Sequence, residues 1–448
     1  MDNFIMLSMR RSIMVMIFFS LFLSASGCSK SESTDKEPEE SVDPQPEPPV
    51  NLAVFPGAVG FGTETKAGRG GQLIRVTNLN ESGEGSLKAA LDATGPRVVV
   101  FEVSGTIKVT SDLAIRNPFI TVAGQTAPAP GIMIRGAALT ILTHDVLVQH
   151  VRVRAGDDAE GPAKDNRDAL KIDNNNGQTR NVVIDHCSFS WSVDENVSIW
   201  HNGLYNVSIL NCVISEGLYI AGHPGYPPGT AHSKGLIVGG GVSKVSVLRN
   251  LLAHNHQRNI LVGDLTAKNI EEVNNVIYNW GSTGADTKGD LNVIGNHFIA
   301  GPNTTGPSLY VRTSEARMYV NDNIGTSWWP GSVATASPVT GSVVPSSAIM
   351  ASADVLNSVL KNAGACPAWR DAVDERVIGE VRTQTGGFKN TVAEAGGWPV
   401  LNENYRPVDS QIAGAGPIPV APAKDSDNDG YTDVEEWLHQ LALQAEGR

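Results

Sequence analysis

The chain has 448 residues, of which 41 % are apolar and 18 % charged, with 46 glycines and a formal charge of −13. This length and apolar share allow a sizeable core, and sparse charge with many turn residues points to a β-rich fold rather than a helical bundle. The acidic balance excludes a general nucleic-acid binder, and any acidic ligand needs local cations from side chains or metal.

At the N-terminus, Arg10 and Arg11 precede an apolar run from Ile13 to Leu23. A basic head and a short apolar stretch predict an export signal, whereas a spanning helix needs about 20 apolar residues. Ala25-Ser26-Gly27-Cys28 is similar to a bacterial lipoprotein cleavage box, with Ala25 where Leu is usual. Cys28 is then the expected lipidated mature N-terminus of an outer-membrane lipoprotein, on the cell surface or the periplasmic face. Plain secretion is the alternative, and no other membrane contact is expected. Residues 29–52 are Ser, Glu, Asp and Pro with almost nothing apolar, a solvated tether behind the 1–28 signal.

Residues 53–345 alternate short β-runs with Gly, Asn, Asp and Pro. Six runs open on a polar or small residue before an apolar stretch: His150, Cys187, Cys212, Asn250, Asn275 and Asn296, separated by 37, 25, 38, 25 and 21 residues. One strand cluster per unit at this period predicts an all-β solenoid, a parallel β-helix with coils stacked about 4.8 Å apart. Asn250, Asn275 and Asn296 then form an amide ladder, with Cys187 and Cys212 on the same ladder as stacked thiols or a disulfide. Unequal spacings predict loops of different length that build a binding face.

Asp165, Asp168, Asp194 and Glu195 fall on two successive coils. Carboxylates so gathered repel one another unless a hard cation sits among them, and Ca²⁺ takes about six to eight oxygen ligands; the bland alternative is a run of solvated turn acids. Lys234 and Arg258 follow, Arg258 just past a strand mark. His254 and His256, two apart, are read as stacking and hydrogen-bonding residues, and Asp185 with His186 as coil-internal structure with side chains on opposite faces.

Residues 346–448 form a partly helical C-terminal extension, with helical pattern over 352–363 and 369–382. Its last motif, at 425–436, has acids at Asp425, Asp427, Asp429 and Asp433, Gly430 at the sharp turn, Tyr431 offering a carbonyl and Glu436 at the twelfth place. This matches an EF-hand calcium loop. A single loop preceded by Pro417, Pro419 and Pro422 predicts a structural calcium clip rather than a sensor.

Taken together, Gly60-Phe61-Gly62, Ser82-Gly83-Glu84-Gly85-Ser86-Leu87, Val99 to Ile107 and Val183-Ile184-Asp185-His186-Cys187-Ser188-Phe189-Ser190, in this order, resemble polysaccharide lyase family 1, the pectate lyases. The resemblance covers roughly residues 55–325 and implies a right-handed parallel β-helix. It also implies calcium-dependent cleavage of α-1,4-polygalacturonate by β-elimination, giving 4,5-unsaturated oligogalacturonates, by a monomer. Asp168 and Asp194 match calcium ligands, with Asp165 and Glu195 as neighbours; Lys234 matches a substrate-binding lysine and Arg258 the arginine that takes the C5 proton. Two departures stand out: Ser198 replaces a further Asp, and Gly263 replaces a second arginine whose contact Arg312 or Lys288 could supply. Trp191, Trp200, Trp328 and Trp329 are candidates for core or sugar-stacking roles. The competing readings are a polygalacturonase-type hydrolase, whose paired-Asp motifs are missing here, and a non-catalytic glycan-binding surface protein or adhesin.

Overall fold

The structure, a computed structural model, describes residues 52–448. The signal, Cys28 and the tether up to residue 51 lie outside the described residues. No helix among the described residues is long and apolar enough to cross a membrane.

The chain winds as a parallel β-helix. Each full coil gives one strand to each of three parallel sheets of ten, eight and eight strands. Sheet 1 runs from Gln72–Val76 to Arg317–Asn321, sheet 2 from Gly105–Lys108 to His297–Ile299, and sheet 3 from Leu113–Ile115 to Leu309–Val311. Inward positions alternate along each strand and fill one continuous core of Val, Ile and Leu, because successive side chains on a strand take opposite faces.

The step from sheet 1 to sheet 2 is made by one left-handed residue per coil: His150, His186, Asn211, Arg249 and Asn274 have φ of 56°, 46°, 50°, 58° and 55°. The next residue on each coil builds the ladder expected from sequence. Asn250 N–H donates to Asn275 Oδ1 and Asn275 N–H to Asn296 Oδ1, each at 2.8 Å, and the side-chain amides repeat the link at 3.0 Å. Cys212 N–H donates to Asn250 Oδ1 at 2.7 Å and Cys187 N–H to Cys212 Sγ at 3.4 Å, so the two cysteines stack on this ladder as free thiols. The same turn overturns the opposite faces expected for Asp185 and His186, although both are buried, as expected of a structural pair. The left-handed His186 does not alternate with its neighbour, and its Nδ1 lies 2.9 Å from Asp185 Oδ1. His254 is likewise left-handed, with φ of 57°, so His254 and His256 sit in a turn rather than on one strand.

Four helices accompany the coil: α1 (Leu87–Asp92), α2 (Ser352–Asn362), α3 (Ala372–Thr383) and α4 (Asp433–Glu446). The second helical stretch begins later than its sequence pattern suggests. Pro367–Trp369 forms a short 3-10 turn, and Asp371 caps α3 by accepting from the Val373 and Asp374 N–H groups. Val355, Val359, Val377 and Ile378 of α2 and α3 cover Val213, Leu251 and Val276 on the outer face of sheet 2. Trp437 and Leu441 of α4 cover Val98 and Val100 on sheet 1. Among the described residues, these helical clusters do not extend over the outer face of the middle strands of sheet 3.

One inward strand position carries a carboxyl. Glu272 stands in register between Val247 and Val293, is fully buried, and neither carboxylate oxygen has a hydrogen-bond partner. Burial alone pushes its carboxyl well above the usual range. Stability from such a group is present below the ordinary Glu range and is lost as pH rises through the raised value. Glu272→Val should therefore stabilise the protein by roughly 1–3 kcal/mol. Urea midpoints should show a larger gain near pH 8 than near pH 5; a variant no more stable than the wild type at the higher pH contradicts this account.

Candidate active site

Sheet 3 gathers the charged residues that the sequence scatters. The register places Glu195, Lys234 and Gln257 side by side on three successive coils, with Arg258 next along the chain. Asp168 lies one coil earlier, just before the strand Leu170–Asp173, and its Oδ1 accepts the Glu195 N–H at 3.1 Å. Carboxylate oxygens of Asp168, Asp194 and Glu195 approach within 4.8 Å of one another. Burial first, and the Asp194 charge second, push the Asp168 carboxyl well above the usual range. The donor set is all hard oxygen and carries more negative charge than its surroundings compensate, which fits a calcium ion completed by water or substrate oxygens.

The cations are held just as closely. Glu195 forms an ion pair with Arg258. Arg258 has φ of 57°, a region sparsely used by non-glycine residues and often found at functional sites. Burial lowers its proton affinity, partly offset by Asp194 and Asp286. Lys234 is buried, donates to Gln257 Oε1 at 2.5 Å, and is pushed down to about 8 by that burial.

Part of the sequence reading is redistributed. Asp165 stands exposed on the short turn Lys164–Asn166, outside the three-carboxylate group. Glu195 belongs to that group but is also engaged by Arg258. Arg312 is committed to Asp286 through Nε at 3.0 Å and a second guanidinium nitrogen at 2.6 Å. Ser198 pairs in register with Lys171, whose ammonium sits 2.7 Å from Asp112. The tryptophans separate cleanly. Trp191 is buried and donates to Glu216 at 3.0 Å, Trp328 packs against the core, Trp329 stacks on Tyr310 at 4.6 Å, and Trp200 lies half-buried at the end of the strand Glu195–Trp200.

Sequence reasoning missed His223, His232 and Asp286. His232 Nε2 is 3.1 Å and His223 Nε2 3.5 Å from Asp194 Oδ1, with the two rings stacked at 4.4 Å. Gly225 N–H donates to His223 Nδ1 at 3.0 Å, so the neutral ring carries its proton on Nε2 and presents it to Asp194. The available signal was position: both histidines lie in the long gap between Val213–Ser215 and Lys234–Val238. His256 also borders the site, and burial with the Lys234 charge lowers it to about 4.

A probable pectate lyase C of Aspergillus flavus is 33 % identical over 424 residues, spanning 87 % of this chain and 94 % of its own length. The chain belongs to the pectate lyase family. A second relative, the probable pectate lyase C of Aspergillus fumigatus, is 34 % identical over 410 residues, covering 86 % of this lyase and 87 % of itself. No family model matches the lyase. Two solved structures share its fold at a TM-score of 0.50. The major allergen of cedar pollen, at 16 % identity, is matched over 69 % of this chain and 92 % of its own. A variant pectate lyase of Bacillus subtilis, at 14 % identity, is matched over 70 % and 98 %.

At the far end of the lyase, Asp425, Asp427 and Asp429 bring carboxylate oxygens within 4.8 Å of one another. Asp433 starts α4, where Thr432 and Glu435 form a capping box. The Glu436 carboxyl is raised by burial and by the four loop aspartates. Glu435 also pairs with Arg69 at 2.7 Å, and Arg69 covers the Tyr431 ring at 5.4 Å, which ties the loop to the start of the coil.

The raised carboxyl of Asp168 has a measurable consequence. Its protonated form favours the fold, and that contribution is lost as pH rises from the ordinary Asp range through the raised value. Asp168→Asn keeps an acceptor for the Glu195 N–H and removes the buried charge. Without divalent ions, near pH 8, the variant should melt above the wild type; a lower melting temperature there overturns the charge-repulsion account of this cluster.

Proposed function

We propose that the lyase cleaves α-1,4-polygalacturonate by β-elimination, with calcium held by Asp168, Asp194 and Glu195. The observation that carries this is the meeting of those carboxylates with Lys234 and Arg258 on adjacent coils of one sheet. A bound calcium ion withdraws charge from the uronate carboxylate and so acidifies the neighbouring C5–H. Lys234 supplies a fixed ammonium beside the same carboxylate. Arg258 accepts the C5 proton, the C4–O bond to the leaving sugar breaks, a 4,5-double bond forms, and the departing oxygen takes a proton from solvent.

An arginine base needs explaining, since guanidinium is ordinarily charged throughout the accessible pH range. Here burial already lowers its proton affinity. Glu195, paired with Arg258, would favour the charged guanidinium, and calcium held by Glu195 would weaken that pairing. Ser198 stands where the family pattern has a further acid, so calcium held here would draw its remaining oxygens from substrate or water.

The rest of the chain is read in the same frame. Residues 1–28 are the export signal with Cys28 lipidated, 29–52 a tether, 53–345 the catalytic coil and 346–448 a covering extension of a monomer. The fungal origin of the relatives leaves the lipoprotein reading to rest on the Ala25–Cys28 pattern alone. Asp425, Asp427, Asp429, Asp433 and Glu436, with the Tyr431 carbonyl, form a second, structural calcium site.

Two experiments follow. With polygalacturonate, the protein should generate ultraviolet-absorbing unsaturated product that disappears on chelation, and Arg258→Ala should reduce the rate by roughly 100-fold or more. Reducing ends without absorbance would assign a hydrolase, and unimpaired turnover in the variant would remove Arg258 from the reaction. For the C-terminal loop, Asp427→Asn should shrink the calcium-induced rise in melting temperature while leaving turnover in saturating calcium within about twofold; an unchanged calcium response excludes the loop as a stabilising site.

A further inference from the structure

Trp200 is on the outer face of sheet 3: Val197 and Ile199 of its strand are buried in the core, and Ser198 and Trp200 alternate away from it. The coils that follow make room for its indole by having no side chain. A Cβ added at Gly239 would stand 2.3 Å from Cζ3 and 2.8 Å from Cη2 of the ring, and one at Gly263 would stand 3.1 and 3.2 Å from the same atoms. A Cβ at Gly240 would be 3.2 Å from the indole Nε1. The ring therefore lies across two further coils, on bare backbone, rather than inserting into a pocket. Ile237 and Leu261, nearly buried on the neighbouring outward positions, extend the apolar strip.

A tryptophan serving only as filler has no reason to lie half-buried on the one sheet face that also carries Lys234 and Arg258. The charges around it do not make a carboxylate site either. Asp173 is its register partner on the preceding coil, and Asp264 approaches within 3.0 Å of the position a Gly239 Cβ would take. Both aspartates are engaged by local N–H groups, from Asn175 at 2.8 Å and from Thr266 at 2.8 Å. Lys288, exposed one coil beyond Gly263, is the nearby cation along this row.

We propose that Trp200, seated on Gly239 and Gly263, is a stacking platform for a pyranose ring of the bound polysaccharide, a sugar subsite that reads the ring face and not its carboxylate. This deepens the polysaccharide lyase reading above and rests on it. An aromatic face offers dispersion contact to the C–H side of a sugar whether the uronate is free or methyl-esterified. The subsite is thus indifferent to esterification, in contrast to the Lys234 centre.

The test is binding rather than turnover. In an Arg258→Ala background, affinity for de-esterified polygalacturonate and for partly methyl-esterified polygalacturonate of equal length is measured by calorimetry. Trp200→Ala and Trp200→Leu should each weaken both interactions about tenfold, while Trp200→Phe stays within about threefold of the parent. Leucine refills the volume without a ring, so parental affinity in Trp200→Leu overturns stacking. Loss confined to the de-esterified polymer also overturns it and assigns the contact to charge. If Trp200→Ala lowers the melting temperature, the Leu and Phe pair decides alone. Failure of the wild type to form unsaturated product would sink the lyase reading, while this binding comparison would still stand or fall by itself.

Discussion

Parallel stacking of the backbone governs this molecule. Each strand hydrogen-bonds to the equivalent strand of the next coil, so every residue acquires two axial neighbours about 4.8 Å away. A side chain is then chosen by what stands above and below it. The asparagines at 250, 275 and 296 satisfy each other because each amide both donates and accepts along the axis. Glu272 shows the reverse case: the same rule places a carboxyl between two valines, where nothing answers it.

The same stacking concentrates charge. Residues 27 apart in sequence, Asp168 and Glu195, become hydrogen-bonded neighbours. Like charges held that close are tolerated only where something compensates, and here the compensation is partial: Arg258 on Glu195, and two histidines on Asp194. The raised carboxyl of Asp168 comes first from burial and only second from the Asp194 charge. Lowered proton affinities at Lys234 and Arg258 have the same first origin, the removal of water from groups packed between coils. A carboxyl held protonated more readily and two weakened cationic side chains thus share one first cause, burial between the coils of one sheet.

The helices of the C-terminal extension lie over other faces of the coil. Its helices close the outer faces of sheets 1 and 2 with apolar contacts, and α4 begins directly at the acidic loop. Order in that loop and order over sheet 1 are therefore parts of one assembly, tied again by Arg69 to Glu435. On the outer face of sheet 3, Trp200 lies over Gly239 and Gly263 on the same sheet as the charged residues.

The amino-acid order by itself determined the solenoid, its Asn and Cys ladder and the acidic C-terminal loop. These are local or periodic: a coil repeats the same residue class at the same turn, and the loop's acids lie within twelve residues. It also singled out Asp168, Asp194, Glu195, Lys234 and Arg258, through the order of motifs shared with a family. Only the tertiary structure decided which of these touch. Asp165 points to solvent, Glu195 meets Arg258, His223 and His232 converge on Asp194, and Trp200 lies over Gly239 and Gly263. Such meetings depend on loop lengths between coils and on register across strands, and a shift of one residue would turn each side chain to the other face.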